Sequence, residues 1–392
     1  MEGIQELSAF DYQPRTRAVF GPGSLERVGE LARELGGSRA LLVTDPGLEQ
    51  AGHPQKAATC LRQAGLQVCV FDGLQENPTT EHVDAGVALA RDFRPDLIVA
   101  VGGGSAMDCA KGINFLYTNG GRMHDYWGKN KARLPMLPSL AVPSTAGTGS
   151  EAQSYALITD PATHRKMACG DSKAAFRIAV LDPLVTMTQP ARVTALTGLD
   201  ALAHAVESYV TRVRNPISAL FAREAWRLLS RAFPTVLTDP GNLQARAYMQ
   251  LGAHLAGMAI ENSMLGAAHA LANPLTARYG LTHGLAVALV LPSVIRYNEL
   301  VVSDLYEDLA AHLPGQGATP GEKLARYLCR CLDLAQLPST LREAGVVEAD
   351  LPLLASWAAE QWTAQFNPRP VGDAELLALY QAAYGNDAAA EG

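Results

Sequence analysis

The segment Asp96-Leu-Ile-Val-Ala-Val-Gly-Gly-Gly-Ser105 joins an apolar run to three successive glycines. An apolar run without polar interruptions is typical of a strand that is buried on both faces of a parallel sheet. A helical pattern follows directly, from residue 106 to about residue 116. Glycines between a buried strand and a helix let a phosphate approach the backbone N–H groups at the positive end of the helix dipole. The segment therefore predicts a parallel sheet, followed by a loop that a phosphate can approach. An ordinary glycine-rich loop is the alternative, and the segment lacks the G-x-G-x-x-G pattern of a standard dinucleotide fold.

The first half of the chain repeats this alternation of strands and helices. Besides the strand at 96–101, a helix is predicted at residues 80–92, and strands are predicted at 17–20, 40–44, 67–71, 140–142 and 178–182. Strands that alternate with helices indicate βαβ units around a parallel sheet. The composition becomes polar between residues 121 and 138, which predicts a loop.

The second half of the chain has a different character. After about residue 187 the sequence shows long helical patterns with short connections, which begin near Arg192, Ser218, Leu243, Ala267, Gly284, Asp304, Gly321 and Ala374. A chain of 392 residues is too long for one typical core, so two domains are expected. We place an α/β domain at residues 1–190 and an all-α domain at residues 191–392.

The composition limits the classes of protein to consider. A hydrophobic content of 48% with 18% charged residues is typical of a soluble globular protein, and the net charge of −7 argues against nucleic-acid binding. No run reaches the roughly eighteen apolar residues of a membrane span. Residues 1–7 show no signal peptide, and the six cysteines lack C-x-x-C spacing. We therefore expect a cytoplasmic protein with no membrane or nucleic-acid partner.

Two side chains in Thr197-Gly-Leu-Asp-Ala-Leu-Ala-His204 suggest part of a metal site. Asp200 and His204 are four residues apart in a helical pattern, which places them on one helical face. A carboxylate and an imidazole on one face make half of a divalent-metal site. For this pair alone, a buried Asp–His hydrogen bond or a solvated face is the simpler interpretation.

Two later histidines change this interpretation. His269 lies in an apolar helical pattern, where a single histidine is more often part of the core than a ligand. His283 follows fourteen residues later, which would be roughly 21 Å away in one unbroken helix. Pro274 and Gly280 lie between them, and both residue types break helices. The chain can therefore turn and present His283 at the start of the next helix, so the spacing permits all four side chains to meet.

Together these motifs resemble the iron-containing (group III) alcohol dehydrogenases. The resemblance covers nearly the whole chain, and its segments are residues 102–105, 143–151, 200–204, 269–272, 282–284 and 367–369. It implies an NAD(P)-dependent oxidoreductase with an N-terminal α/β domain that carries a parallel nucleotide-binding sheet. It also implies an all-α C-terminal domain, in the fold that this family shares with the dehydroquinate synthases.

The same resemblance implies the site residues. The expected ligands of Fe(II), or alternatively Zn(II), are Asp200, His204, His269 and His283. The expected cofactor-binding residues are Gly102, Gly103, Gly104, Ser105, Ser144, Thr145, Thr148, Ser150 and Lys166. An exposed strand lysine is the alternative interpretation for Lys166. Asp108 and Lys111, in the first turns of the helix after the glycines, are interpreted equally well as surface charges or as cofactor contacts.

Asp45 and Asn273 bear on how the cofactor is used. Asp45 ends an early strand, where a carboxylate can accept hydrogen bonds from ribose hydroxyls and repel a 2′-phosphate, so NAD is expected before NADP. The family places an NAD-selecting aspartate there, although a turn aspartate before Pro46 is an equal alternative. Many relatives carry a second histidine, beside the nicotinamide, four residues after the one that corresponds to His269. Here that residue is Asn273, which does not titrate, so we expect it to position groups and not to relay a proton.

We therefore predict a metal-dependent dehydrogenase that transfers a hydride between a short primary alcohol, or its aldehyde, and NAD(H). A homodimer or higher homo-oligomer is expected. The alternatives are a zinc-dependent glycerol or polyol dehydrogenase, a dehydroquinate synthase-like lyase, whose metal site by resemblance uses a glutamate and two histidines, and a non-catalytic nucleotide-binding protein. The sequence does not name the alcohol, because pockets discriminate by only about 1–3 kcal/mol per methylene.

Overall fold

The computed structural model describes residues 9–163 and 165–385, so the expectation about a signal peptide in residues 1–7 lies outside the described residues. The chain divides into two compact units. One unit comprises Gln13–Gln189, and the other begins at Pro190 and also includes residues 9–12.

The first unit contains a parallel sheet flanked by helices. Its strands are β1 (Arg17–Phe20), β2 (Arg39–Val43), β3 (Gln67–Phe71), β4 (Leu97–Gly102), β5 (Gly128–Lys129), β6 (Ser139–Pro143), β7 (Tyr155–Thr159), β8 (Lys166–Gly170) and β9 (Ile178–Leu181). Its helices are α1 (Val28–Glu34), α2 (Pro46–Glu49), α3 (His53–Gln63), α4 (Thr80–Phe93), α5 (Gly104–Asn119) and α6 (Pro183–Thr186). Six strands form one parallel sheet in the order β3-β2-β4-β6-β9-β1.

The apolar run around β4 forms a strand that is buried on both faces, as predicted. All six residues of β4 are buried, and successive side chains point to opposite faces of the sheet. Ile98 and Ala100 belong to the core cluster that includes residues of α4 and α5, whereas Leu97 and Val99 belong to the cluster that includes residues of α1 and α3. Helices thus cover both faces, which explains why β4 carries no polar alternation.

The strand order defines where a nucleotide can bind. β2 lies between β3 and β4. The chain runs from β2 to its neighbour β3 on one side, and then crosses back to β4 on the other side of β2, so the direction of strand addition reverses there. Open α/β sheets bind ligands at the carboxyl ends of their strands, at such a reversal point. Val43 pairs with Ala100 and Gly102 pairs with Pro143, so the segments that follow β2, β4 and β6 share one edge of the sheet.

The polar segment between residues 121 and 138 is more ordered than the predicted loop. It contains a 3-10 helix at Met123–Tyr126 and the strand β5. β5 pairs with β8, and β8 pairs antiparallel with β7, in a second sheet of three strands. The prediction of a loop missed β5 because a strand of two residues is too short to show the alternation of side chains that marks a longer strand.

The second unit is helical. Its helices are α7 (Ala191–Val210), α8 (Pro216–Thr238), α9 (Leu243–Glu261), α10 (Ala267–Tyr279), α11 (His283–Ala310), α12 (Pro320–Leu334), α13 (Leu351–Ala359) and α14 (Asp373–Tyr384). The helix that was predicted to begin near Asp304 is the end of α11, which continues across a kink at Val302 where the backbone is not helical (φ −135°, ψ 27°). Helix α13 was not predicted.

Among the described residues, α11 is the helix that is long and apolar enough to cross a membrane. However, 67% of its apolar window is buried inside the protein. It packs against α7, α10, α12 and α14. These contacts are those of a central core helix, and they account for its apolar composition.

Candidate metal centre and cofactor site

Helix α7 presents the first two candidate ligands. Residues 198–210 of this helix are buried without exception, so its polar side chains lie inside the protein. Nε2 of His204 lies 3.4 Å from Oδ1 of Asp200, and both side chains are less than 10% exposed. The four-residue spacing therefore places a carboxylate and an imidazole together in the interior.

Helix α10 brings His269 to the same place. Nε2 of His269 lies 3.6 Å from Oδ1 of Asp200, and its ring stacks on that of His204 with centroids 4.9 Å apart. The expected break at Pro274 is wrong, because Pro274 lies buried inside α10 and tertiary packing holds the helix through it. The helix ends at Gly280, whose left-handed backbone (φ 65°) suits glycine.

Helix α11 begins with His283 and supplies the fourth side chain. Nε2 of His283 lies 3.8 Å from Oδ1 of Asp200. The next residue, Gly284, allows this approach, since a Cβ atom there would lie 2.1 Å from the carbonyl oxygen of Leu196 in α7. The side chain of His283 is 30% exposed, whereas those of Asp200 and His269 are 6% and 5% exposed. Solvent therefore reaches the cluster on the side of His283.

The donor atoms fit a divalent metal ion. Oδ1 of Asp200 and Nε2 of His269 are buried and have no hydrogen-bond partner among the described residues. The ligand atoms of Asp200, His269 and His283 lie within 4.8 Å of one another. Ligand atoms at the corners of a tetrahedron with bonds of about 2.1 Å are about 3.4 Å apart, close to the separations observed here. One carboxylate and three imidazoles suit Fe(II) or Zn(II).

The electrostatic environment matches a cation site. Burial would raise the pKa of Asp200, but the imidazoles of His204, His269 and His283 outweigh it and hold this pKa well below its usual range. Burial would likewise lower the pKa of His269, but the carboxylates of Glu207 and Asp200 raise it to about 9. The interior around these side chains therefore favours a carboxylate anion and positive charge beside it.

Glu207 and Asn367 also reach this cluster. The sequence did not single out Glu207, and it marked Asn367 only as part of the resembling segment 367–369, without a role. Oε1 of Glu207 accepts a hydrogen bond from the N–H of Ala268 at 2.7 Å, and its Oε2 is hydrogen-bonded to Nδ1 of His269. Oδ1 of Asn367 accepts a hydrogen bond from the N–H of Ala267. The signal for Glu207 was available, because it follows Asp200 by seven residues and so lies on the same face of α7.

The glycine loop packs closely against the segment that follows β6. A Cβ atom at Gly103 would lie 3.3 Å from Cγ2 of Thr145, and one at Gly104 would lie 2.7 Å from Cγ2 of Thr148. Within the described part of the chain, no side chain caps the start of α5 at Gly103. The first N–H groups of α5 therefore remain available for a phosphate. Ser144, the first residue after β6, donates its backbone N–H to the carbonyl oxygen of Gly102.

Asp45 lies beside this loop at the reversal point of the sheet. Its Oδ1 caps α2 by accepting the N–H of Leu48 at 3.1 Å. Its Oδ2 lies 3.2 Å from the position that a Cβ atom at Gly102 would occupy. Burial raises the pKa of Asp45, and hydrogen bonds from Leu48 and Gly47 oppose that change. One carboxylate oxygen thus holds the turn while the other faces the glycine loop.

Ser150 is held inside the first unit. Its hydroxyl donates to Oδ1 of Asp108 at 2.7 Å and accepts a hydrogen bond from Nζ of Lys111 at 2.9 Å. Lys111 also donates to the carbonyl oxygens of Ser150 and Tyr155. Lys111 is 2% exposed, so the interpretation of Asp108 and Lys111 as surface charges is wrong. The cause is that the turn after β6 folds over α5 and covers them.

Lys166 lies on β8 with its side chain exposed, and it contacts the glycine loop through one further residue. Nζ of Lys166 donates to Oδ1 of Asn77 at 3.1 Å. The backbone N–H of Asn77 donates to the hydroxyl of Ser105 at 3.2 Å. Asn77 was not predicted, and its left-handed backbone (φ 55°) marks it as a constrained turn residue.

Asn273 lies one turn after His269 on α10. Its Nδ2 donates to Oε1 of Gln361 at 2.9 Å. Gln361 in turn donates to the carbonyl oxygen of Trp357 at the end of α13. The amide of Asn273 is therefore oriented by a fixed partner.

Comparison with known proteins identifies the family to which this chain belongs. Residues 14–183 match the description "Iron-containing alcohol dehydrogenase", and residues 194–384 match "Fe-containing alcohol dehydrogenase family, C-terminal". The chain belongs to the iron-containing alcohol dehydrogenase family. It is 38% identical over 383 residues to a 1,3-propanediol dehydrogenase of Klebsiella pneumoniae, covering 96% of this chain and 99% of that protein.

Two further relatives support this assignment. An NAD-dependent methanol dehydrogenase of Bacillus methanolicus is 35% identical over 358 residues, covering 90% of this chain and 94% of that protein. A crystal structure of a 1,3-propanediol oxidoreductase superposes with a TM-score of 0.93 at 37% identity, covering 96% of this chain and all of that one. The predicted fold and enzyme class are thus confirmed, and the protein is a metal-dependent oxidoreductase of alcohols and aldehydes.

Proposed function

We propose that this enzyme transfers a hydride between a short primary alcohol, or its aldehyde, and NAD(H), with a divalent metal held by Asp200, His204, His269 and His283. The observation that carries the proposal is that all three histidine Nε2 atoms lie within 3.4 to 3.8 Å of one carboxylate oxygen, Oδ1 of Asp200. Iron is the expected ion because of the family, and zinc is the alternative.

Each part of the site has a defined task in this proposal. When bound, the metal supplies a Lewis acid for the alcohol hydroxyl and the nicotinamide supplies the hydride acceptor. The N–H groups at the start of α5 bind the pyrophosphate, and Gly102, Gly103 and Gly104 let it approach the backbone. Asp45 accepts hydrogen bonds from the ribose hydroxyls and disfavours a 2′-phosphate, which selects NAD over NADP.

The remaining predicted residues surround this loop or the metal. Thr145 and Thr148 occupy the space that a side chain at Gly103 or Gly104 would need, and the N–H of Ser144 binds the carbonyl oxygen of Gly102, so these three shape the cofactor site. Ser150 supports the turn from inside through Asp108 and Lys111. Ser105 and Lys166 are both hydrogen-bonded to Asn77, beside the glycine loop.

Asn273 is proposed to position groups near His269. Its amide is neutral at working pH and cannot carry the proton that leaves the alcohol. The hydrogen bond to Gln361 fixes its orientation. Another group would then have to accept the proton of the alcohol, and water or a ribose hydroxyl of the bound nicotinamide nucleotide could supply that acceptor.

The proposed class of substrate is inferred from the alcohols for which the similar proteins are named. Proteins named for 1,3-propanediol and for methanol are similar over nearly the full chain, which favours short primary alcohols, small diols included. The family assignment favours this reaction over the lyase reaction of dehydroquinate synthases and over a non-catalytic nucleotide-binding role. A zinc-dependent polyol dehydrogenase is the remaining alternative. A cytoplasmic homodimer or higher homo-oligomer is also proposed, and light scattering on the purified protein tests the assembly.

The test is metal analysis of anaerobically purified protein, followed by NADH absorbance with a panel of short alcohols, diols and aldehydes. His269→Ala should remove most of the bound metal and activity, since a buried ligand is lost. His312→Ala is the matched control, because this histidine binds the hydroxyl of Ser230 and takes no part in the cluster. Full metal content and near wild-type turnover in His269→Ala would show that the ligand assignment is wrong.

A further inference from the structure

The start of helix α10 is capped by residues from distant parts of the chain. Its N-cap, Gly266, has no side chain to offer, and the first two N–H groups of the helix bind elsewhere. The N–H of Ala267 donates to Oδ1 of Asn367 at 3.2 Å, and that of Ala268 donates to Oε1 of Glu207 at 2.7 Å. A carboxylate at this end of a helix also interacts favourably with the helix dipole.

The second oxygen of Glu207 reaches the candidate metal ligand itself. Oε2 of Glu207 is hydrogen-bonded to Nδ1 of His269, and both side chains are at most 5% exposed. An ionised carboxylate only accepts hydrogen bonds, so Nδ1 must carry the hydrogen. In the neutral ring, Nε2 then keeps its lone pair, and it faces Oδ1 of Asp200.

The surroundings leave Glu207 and Asn367 little freedom to move. Nδ2 of Asn367 donates to Oδ1 of Asn298 at 2.7 Å, and Nδ2 of Asn298 donates to Oδ1 of Asn367 at 3.1 Å. A Cβ atom at Gly266 would lie 3.0 Å from Oδ1 of Asn367 and 3.1 Å from Oε1 of Glu207. The absence of a side chain at residue 266 thus allows both acceptors to reach the helix.

We propose that Glu207 is the positioning residue of the metal centre, because a single carboxylate fixes the start of α10 and the ring orientation and tautomer of His269. This inference rests on the proposed function, since it requires His269 to be a metal ligand. Glu207 acts through His269 and is not itself a ligand. Partners that orient a ligating histidine in this way generally contribute 10- to 100-fold to metal affinity.

The substitution Glu207→Gln separates the two tasks of this carboxylate. If the amide oxygen faces the N–H of Ala268, the NH₂ group faces Nδ1 of His269 and donates to it. The hydrogen of the ring then favours Nε2, and this tautomer must be reversed before the ring can bind a metal, which weakens ligation. In the opposite orientation the NH₂ group faces the N–H of Ala268, and two donors oppose each other. The first orientation keeps the helix cap and loses the correct tautomer.

The experiment is a Zn²⁺ titration of the full-length metal-free protein by calorimetry with a competing chelator, below the melting temperature of every variant. Glu207→Gln should bind Zn²⁺ about 10- to 100-fold more weakly than the wild type. Glu224→Gln, the same change on α8 where the partner is the half-exposed Arg227, should bind as the wild type does. Gly266→Ala only crowds Oε1 of Glu207, so its Zn²⁺ affinity should lie between those of Glu207→Gln and Glu224→Gln.

The outcomes separate this proposal from the one on which it rests. A wild-type protein that takes up no Zn²⁺ would remove the metal centre and this role together. A wild type that binds Zn²⁺ with Glu207→Gln binding equally tightly would refute the positioning role and leave the metal centre intact. A lower melting temperature of metal-free Glu207→Gln with unchanged Zn²⁺ affinity would likewise refute it, because that result describes a helix cap alone.

Discussion

Gly284→Ala should disrupt the metal centre without touching a ligand. A Cβ atom at residue 284 would lie 2.1 Å from the carbonyl oxygen and 2.8 Å from the carbonyl carbon of Leu196. Both are backbone atoms and cannot rotate away. Since non-bonded carbon and oxygen atoms rarely approach within about 3.0 Å, the start of α11 must move from α7 by about 0.9 Å.

This displacement is large on the scale of a coordination shell. Nε2 of His283 lies 3.8 Å from Oδ1 of Asp200, and a shift along the contact would take it to about 4.7 Å. Two ligands of one ion with bonds of about 2.1 Å cannot lie more than about 4.2 Å apart. His283 would therefore leave the ion, or the core would carry a strain of roughly 1–3 kcal/mol.

The assays are thermal unfolding with and without Zn²⁺ and a Zn²⁺ titration. We expect Gly284→Ala to melt at a lower temperature and to bind Zn²⁺ nearly as weakly as His283→Ala. Gly241→Ala is the matched control, because the nearest heavy atom to its new Cβ would be 3.7 Å away. If Gly284→Ala keeps both the wild-type melting temperature and the wild-type Zn²⁺ affinity, the close contact between α7 and α11 does not position His283.

Three other predictions concern protons and the cofactor. Glu207 and Asp200 raise the pKa of His269 to about 9 against the effect of burial, so Zn²⁺ must displace a proton from this ring at neutral pH. The affinity of the protein for Zn²⁺ should therefore rise about tenfold per pH unit between about pH 6.5 and 8.5. A Zn²⁺ affinity that calorimetry finds independent of pH would contradict this. Asp45→Gly should improve the ratio of kcat/KM for NADP to that for NAD, and a wild type that already prefers NADP would overturn the role of Asp45. Asn273→His should add a titration near pH 6.5 to the kcat profile, whereas an unchanged shape in both Asn273→His and Asn273→Ala would show that residue 273 does not affect the chemistry.

The sequence predicted the local elements well because their signals are local. The apolar run of β4, the glycines after it and the helical spacing of Asp200 and His204 depend on residues close together in the chain. The break between the helices that carry His269 and His283 was predicted as well, but it was partly assigned to Pro274. Gly280 alone ends the helix, since packing in the core decides whether a proline is tolerated.

The contacts between residues far apart in the chain could not be predicted from the sequence. The burial of Lys111 depends on residues 150 and 155, and the cap of α10 depends on Asn367, which lies 100 residues away. Nothing near these positions in the chain indicates their partners. Spacing within α7 did point to Glu207, but its contact with His269 requires two helices to pack in one particular way.

The proposed ligand set comes from three helices, and this has a consequence for the stability of the protein in the cell. Asp200 and His204 lie on α7, His269 on α10 and His283 on α11, so a bound ion would tie α7 to the α10–α11 pair, which begins more than 50 residues later in the chain. The binding free energy of such an ion adds to the free energy of folding. A chain that folds while the metal is scarce would then be less stable and more readily degraded. Metal supply would then govern the abundance of the enzyme as well as its turnover.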